Sequence, residues 1–467
     1  MGSMDRKKRI YLMSGILVVL VFAALLTSHY VTPVSTNAAD KKQTKTPKNI
    51  IFIVGDGMGM PVIKAYRTFK QEKLSPKAQT VWDPHLVGMQ TTHPDDPRDN
   101  ITDSAAAATA MATGKKTYND AIAVNQDKEP LRSVVEAAKE AQMKTAFVVS
   151  SDITDATPAA FGTHNVSRKN KEQIADHFFD EKIGGEHKVD ILLGGGMQYF
   201  DRKDRDLVKE FKKSGYSILR SKDDLTSQSS SKMLGLFQED ELDRAIDRPK
   251  HVPTLKDMTQ AALTQLNQDN SHGFFMLLEG STIDSAGHEN DVVGAMSEME
   301  DFEKAVQTAL QFAKKDQETL VVITADHATG GFSFGADGMT SETGYKWDPA
   351  PILAAKKTPV YMAKKIAGGQ SVHDVLHTNI DFSLTKEEIS QVENAAQSGK
   401  ASTIQLSIQH IFDQRSFSGW TTFAHTGEDV PVYAYGPGKA AFQGWIDNTK
   451  QGKNLFHIIE SPSTYRP

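Results

Sequence analysis

Short apolar runs recur along this chain, most of them leading into glycine or acid, and several are preceded by a helix-length segment. Ile50 to Val54 is the first. Thr145 to Val149, Val189 to Leu193, Gly273 to Leu278, Leu320 to Thr324 and Val430 to Tyr435 follow. Helical segments at Ser133 to Gln142, Thr254 to Leu266 and Asp291 to Lys314 lead into three of them. Strands that are apolar on both faces need cover on both faces. The alternation therefore predicts an α/β fold, a mostly parallel central sheet with helices on each side. Two stretches break the rhythm. Residues 220–250 are polar and helix-prone without a clear strand. Residues 331–415 combine loops with polar helices and read as an inserted cap.

The first 39 residues read as an address and not as part of the fold. Met1, Gly2 and Ser3 ahead of Met4 look like an expression remnant. A basic cluster, Arg6 to Arg9, precedes an apolar run from Ile10 to Leu26, and small residues offer a cleavage point near Ala38 or Ala39. That order matches a secretory signal peptide. An uncleaved anchor is the alternative, because the run approaches the roughly 18 apolar residues of a membrane span. Residues 40–467 are then expected to form one domain, exported or held at the outer face of a membrane. The chain has no cysteine. This excludes disulfides, thiolate metal sites and thiol nucleophiles, so any metal must be held by His, Asp, Glu or hydroxyls. With 53 basic against 59 acidic residues, a dedicated nucleic-acid surface is not expected.

Ligands of open α/β sheets bind beyond the carboxyl ends of the strands, and chemistry gathers there. Gly55-Asp56-Gly57-Met58-Gly59 follows the first run; Asp152, Asp155 and Thr157 follow the second; Glu279, Asp284 and His288 follow Gly273 to Leu278; Asp326 and His327 follow Leu320 to Thr324. The glycine-rich turn suits a metal-binding aspartate better than a pyrophosphate cradle, where Asp56 would repel the phosphates. A turn capped by aspartate fits it equally well. Thr102-Asp103-Ser104 opens an alanine-rich helix, with Thr102 or Asp103 as cap. Ser104 in the first turn is placed to bind or attack a phosphate, although a plain capping serine is the simpler reading of that motif alone. Asp284 and His288 share one face if their segment is helical. His425 precedes a strand where the other acids and histidines follow one. Arg168 offers a planar fork for phosphate oxygens. Each pair alone would be surface polarity; several pairs at successive strand ends are not.

Six segments, IIFIVGDGMGM (50–60), TDSAAAATAMATG (102–114), DATPAAFGTHNVSR (155–168), LEGSTIDSAGHEND (278–291), TADHATGGF (324–332) and FAHTGEDVPVYAYGPG (423–438), keep an order and spacing that resembles the alkaline phosphatase family, above all its bacterial members. The resemblance implies hydrolysis of varied small phosphate monoesters through a phosphoseryl intermediate on Ser104. It also implies two zinc ions, one magnesium ion and a homodimer. Carried onto this sequence, one zinc falls to Asp284, His288 and His425, and the other to Asp56, Asp326, His327 and Ser104. Magnesium falls to Asp56, Thr157 and Glu279, with Asp155 bonded to its waters, and Arg168 holds the phosphate. One position departs from the pattern. Ser285 stands where enteric-type members carry lysine and many others histidine, which implies weaker retention of the phosphate product.

Overall fold

The computed structural model describes residues 46–461 apart from 227–229, 337–338 and 343. The apolar run from Ile10 to Leu26 and the proposed cleavage point lie outside the described residues. Among those described, no helix is long and apolar enough to cross a membrane.

Ten strands form the central sheet. In chain order they are β1 (Asn49–Gly55), β2 (Leu86–Thr91), β3 (Lys144–Asp152), β4 (Ile191–Gly195), β5 (Ser217–Leu219), β6 (Met233–Leu236), β7 (Phe274–Gly280), β8 (Thr319–Ala325), β9 (Val430–Tyr435) and β10 (Gly444–Asp447). Across the sheet the order is β10-β2-β9-β8-β1-β7-β3-β4-β6-β5. All neighbours are parallel except those of β9, which runs against both β8 and β2. The sheet is thus mostly parallel, as the alternation of apolar runs and helices predicts.

The β1 sequence NIIFIVG is buried throughout. Ile51 and Ile53 join the core on one face, and Ile50, Phe52 and Val54 join the core on the other. That is the pattern of a strand sandwiched between two helical layers. Residues 220–250 differ from the sequence reading, because Met233–Leu236 is a fully buried strand lying between β4 and β5 in the sheet. At four residues, flanked by serines and a lysine, its apolar content is too short to stand out. Strand β2 was also hidden, since most of its residues are only partly buried and give no apolar run.

Five helices border or brace the acidic end of the sheet: α1 (Ser104–Thr113), α2 (Ala156–Gly162), α3 (Thr282–His288), α4 (Val292–Asp316) and α5 (Ala401–Ser416). Asp103 caps α1, its side chain accepting from the Ala106 amide, and Gly114 closes it in the left-handed conformation. Every residue of α1 is buried, which only a run of small side chains permits this close to its neighbours. Between residues 331 and 415 the chain forms a series of helices ending in α5. Their apolar faces, including Met362, Leu376, Ile408 and Phe412, join the core on the Ile51 face of the sheet.

Helix α4 braces the sheet edge that carries the acids. Its Phe302 is fully buried, packs 5.7 Å from the Trp82 ring, and lies so close to Gly280 that a Cβ there would meet the ring at 2.6 Å. Phe302→Ala should therefore lower the unfolding free energy by about 3–5 kcal/mol. Urea titration followed by tryptophan fluorescence checks this; a loss below about 1 kcal/mol would contradict the packing described.

Candidate active site

Register places the acids. Gly55 of β1 pairs with Ala325 of β8, so Asp56 and Asp326, each one residue further on, emerge side by side. Glu279 of β7 pairs with Val54 on one side and with Val149 of β3 on the other. Asp155 is the N-cap residue of α2, and Thr157 lies in its first turn. Asp284 and His288 both lie on α3, with His288 Nε2 3.3 Å from Asp284 Oδ2. The reversed direction of β9 explains why His425 precedes its strand: the start of β9 lies at the same edge as the ends of the parallel strands.

A short ribbon then completes the cluster. Ala328–Thr329 pairs antiparallel with His425–Thr426, which brings the His327 and His425 rings into a stack with centroids 3.6 Å apart. His288 Nε2 and His425 Nε2 face each other at 3.0 Å. The Nδ1 of His288 lies 2.7 Å from the Phe423 carbonyl oxygen, and that of His425 lies 2.9 Å from the Thr102 carbonyl oxygen. A carbonyl can only accept, so each Nδ1 carries a proton and each Nε2 is left to bind something else. Gly57 shows how tight the cluster is. Its φ is +67°, and a Cβ there would lie 2.8 Å from Asp284 Oδ1, so this turn needs glycine. Its amide donates to Asp326 Oδ1 at 3.1 Å.

Ser104 enters from the N-terminus of α1. Its Oγ lies 3.1 Å from His327 Nε2, and the same nitrogen lies 3.1 Å from Asp326 Oδ2 and 3.5 Å from Asp56 Oδ1. Arg168 is tied back by two carboxylates, 3.3 Å to Asp103 and 3.2 Å to Asp155, and its own amide donates to the Asp120 carbonyl. The structure thus brings together all ten residues singled out as metal ligands and catalytic groups, together with Arg168. Among the contacts that the sequence reading lacked, Asp155 and Asp103 both bind Arg168 directly.

Electrostatics decide what such a site can hold. Asp155, Glu279, Asp284 and Asp326 all act on Asp56, and with burial they hold its carboxyl well above the usual range. Burial and Asp155 push Glu279 up to about 8. The Asp284 carboxyl is instead held well below its ordinary range: burial opposes this, but the hydrogen bond from His288 and the nearby imidazoles outweigh it. Asp56 Oδ1, Thr157 Oγ1 and Glu279 Oε1 are buried without a hydrogen-bond partner, and Asp326 Oδ2 has only the His327 ring nitrogen near it. Buried acceptors in this number demand either protons or cations. Asp284, His327 and His425 offer ligand atoms within 4.8 Å of one another, and so do Asp56, Asp326 and His327. Oxygen and imidazole donors of this kind suit zinc, and the all-oxygen set around Glu279 suits magnesium. The residues fit the metals that the motifs imply.

Two further residues that contact the cluster, Thr329 and Ser281, were not foreseen. Thr329 Oγ1 reaches both Asp284 and His327 Nδ1, and Ser281 donates to Glu279 at 2.7 Å. Both lie inside quoted motifs, but nothing in a threonine or serine there says which way it points. Ser285 turns away from the cluster and donates to Glu241 at 2.7 Å. Glu241 and Glu289 in turn flank the buried Arg244 at 2.9 and 3.2 Å.

Known proteins agree with this geometry. The sequence model of the alkaline phosphatase family matches residues 47–461. The chain is 53% identical over 439 residues to alkaline phosphatase 3 of Bacillus subtilis, covering 93% of this chain and 94% of that protein. It is 52% identical over 427 residues to alkaline phosphatase 4 of the same organism, covering 91% of each. Among solved structures, a cold-active alkaline phosphatase from a psychrophilic Shewanella species superposes with a TM-score of 0.82 at 39% identity, covering 88% of this chain and all of that one. The chain belongs to the alkaline phosphatase family and is a phosphomonoester hydrolase.

Proposed function

We propose that this enzyme is an exported alkaline phosphatase that forms a phosphoseryl intermediate on Ser104 at a two-zinc, one-magnesium centre. The observation that carries the reading is the meeting of Ser104 Oγ, at the head of a ten-residue helix, with a cluster of imidazoles and buried carboxylates, among whose oxygens Asp56 Oδ1 and Glu279 Oε1 lack hydrogen-bond partners. Asp284, His288 and His425 would hold one zinc, and Asp56, Asp326, His327 and Ser104 the other. Asp56, Thr157 and Glu279 would hold magnesium, with Asp155 bonded to its waters. Bound there, such ions supply Lewis-acid charge that favours an alkoxide over an alcohol and offsets charge on the leaving oxygen.

The protein's own groups do the rest. Ser104 attacks phosphorus opposite the ester oxygen, so that its O–P bond forms as the ester P–O bond breaks. Arg168, its guanidinium fixed by Asp103 and Asp155, grips the phosphoryl oxygens as a planar fork. The amides of the first turn of α1 face the same charge. Water then cleaves the phosphoserine. Because recognition concentrates on phosphate, varied small monoesters should serve. Export rests on the N-terminal signal pattern, and a homodimer rests on the family resemblance. Residues 331–415 act, in this reading, as a cap beside the site mouth.

A metal-independent reading has one contact in its favour. Ser104 can donate to His327 Nε2 at 3.1 Å, with Thr329 behind the ring's Nδ1 at 3.2 Å. Chelation separates the two readings: full turnover after exhaustive removal of metal favours the histidine base.

Ser104→Ala should keep its metal content by elemental analysis, form no phosphoenzyme with labelled substrate, and lose at least ~10³-fold in kcat. Retained turnover would remove the nucleophile assigned here. Chelation should also lower the thermal midpoint. A ligand at a hundredfold its dissociation constant contributes about 2.7 kcal/mol, and an unchanged calorimetric midpoint would show that the cluster is stable without ions. Ser285→Lys places a cation beside Glu241 at the site edge and should tighten inhibition by inorganic phosphate about tenfold, the worth of one charge-assisted hydrogen bond. Tighter inhibition of the wild type would count against that role for Ser285.

A further inference from the structure

Beside the cluster lies a groove of about 840 Å³ whose lining includes Asn290, Leu406, Gln409, Asp413, Trp420 and Phe423. Two of its lining residues adjoin the site. Asn290 is two residues beyond His288, and the Phe423 carbonyl accepts from His288 Nδ1 at 2.7 Å. His288 is also the most open of the three histidines, with its side chain 41% exposed against 13% for His425 and none for His327. The cluster therefore opens toward this groove. Leu406 and Phe423 present large apolar surfaces to it, 50% and 59% exposed.

We infer that this groove binds the organic half of the phosphomonoester and selects uncharged aromatic or bulky apolar leaving groups. The inference rests on the proposed reading of Asp284, His288 and His425 as the leaving-oxygen end of the site. A leaving group departing beside His288 has the groove immediately next to it. Its wall is rigid: Trp420 packs edge-on against Phe332 at 4.9 Å, and its Nε1 donates to Asp413 at 3.1 Å. Among the described residues, the lining contains no lysine or arginine. A second phosphate or a carboxylate on the leaving group would meet no counter-charge there, and Asp413 would repel it when ionised. Burial pushes the Asp413 carboxyl up to about 7, so above neutrality it is mostly ionised and that repulsion is in force. Its size is that of a pocket for a compact organic group, and an aromatic ring on Leu406 and Phe423 would cover surface now in water.

The test compares 2-naphthyl phosphate with methyl phosphate on the metal-loaded enzyme, in wild type, Leu406→Ala and Phe423→Ala. Both substitutions keep the main chain, including the carbonyl that orients His288. The ratio of kcat/KM for the naphthyl ester to that for the methyl ester should fall about tenfold, chiefly through KM for the naphthyl ester. A ratio unchanged in both variants overturns the inference and leaves the Ser104 assignment standing. An equal loss on both esters also overturns it, because the side chains then act on the site and not on the leaving group. Naphthyl diphosphate supplies a second arm: it should be the poorer substrate of wild type relative to the monophosphate, and parity between them would contradict the charge argument.

Discussion

Concentrated negative charge at one end of a parallel sheet is the constraint on which the rest of the structure turns. Asp56, Glu279 and Asp326 emerge from three adjacent strands whose register leaves them no room to spread. Asp155 and Asp284 arrive from the helices that follow. Water would ordinarily dissipate such charge, but these groups are largely or wholly buried. What remains is compensation by Arg168, by imidazoles and by whatever positive species the unpartnered oxygens accept. The rigid sheet makes this concentration possible, since Asp56, Glu279 and Asp326 lie within or one residue beyond strands held on both sides.

Much of this was legible in the sequence because its periodicity and its chemistry coincide. Apolar runs marked the strands, and acids directly after them marked the site. Asp56, Glu279 and Asp326 follow from that logic alone. His425 does not, because it precedes its strand; only the reversal of β9 puts it at the same edge. The carbonyls of Thr102 and Phe423, which set the orientation of two histidines, are invisible in any sequence, since every residue has one. Met233–Leu236 was missed for a different reason: a short, fully enclosed strand needs no long apolar run to be stable once its neighbours are in place.

Ser285 illustrates how a departure from a family pattern is absorbed locally. In place of the lysine or histidine that the family pattern leads one to expect, Ser285 belongs to a network with Glu241, Arg244 and Glu289. Arg244 is buried and flanked by both glutamates. Cap, wall and groove meet in this region: Gln405 and Gln409 on α5 also bond Glu289.

The reversed strand has a consequence for how the molecule comes into being. His425 bonds to the Thr102 carbonyl across 323 residues of chain, and β9 cannot enter the sheet until nearly all of the polypeptide has been made. A nascent chain can assemble most of its sheet early, yet its carboxylates must wait, unneutralised on one side, for the last histidine. Contacts of such long range form slowly, and partly assembled α/β chains are prone to associate with one another. The late position of His425 in the chain therefore makes completion of this cluster a late event, one that closes folding instead of initiating it.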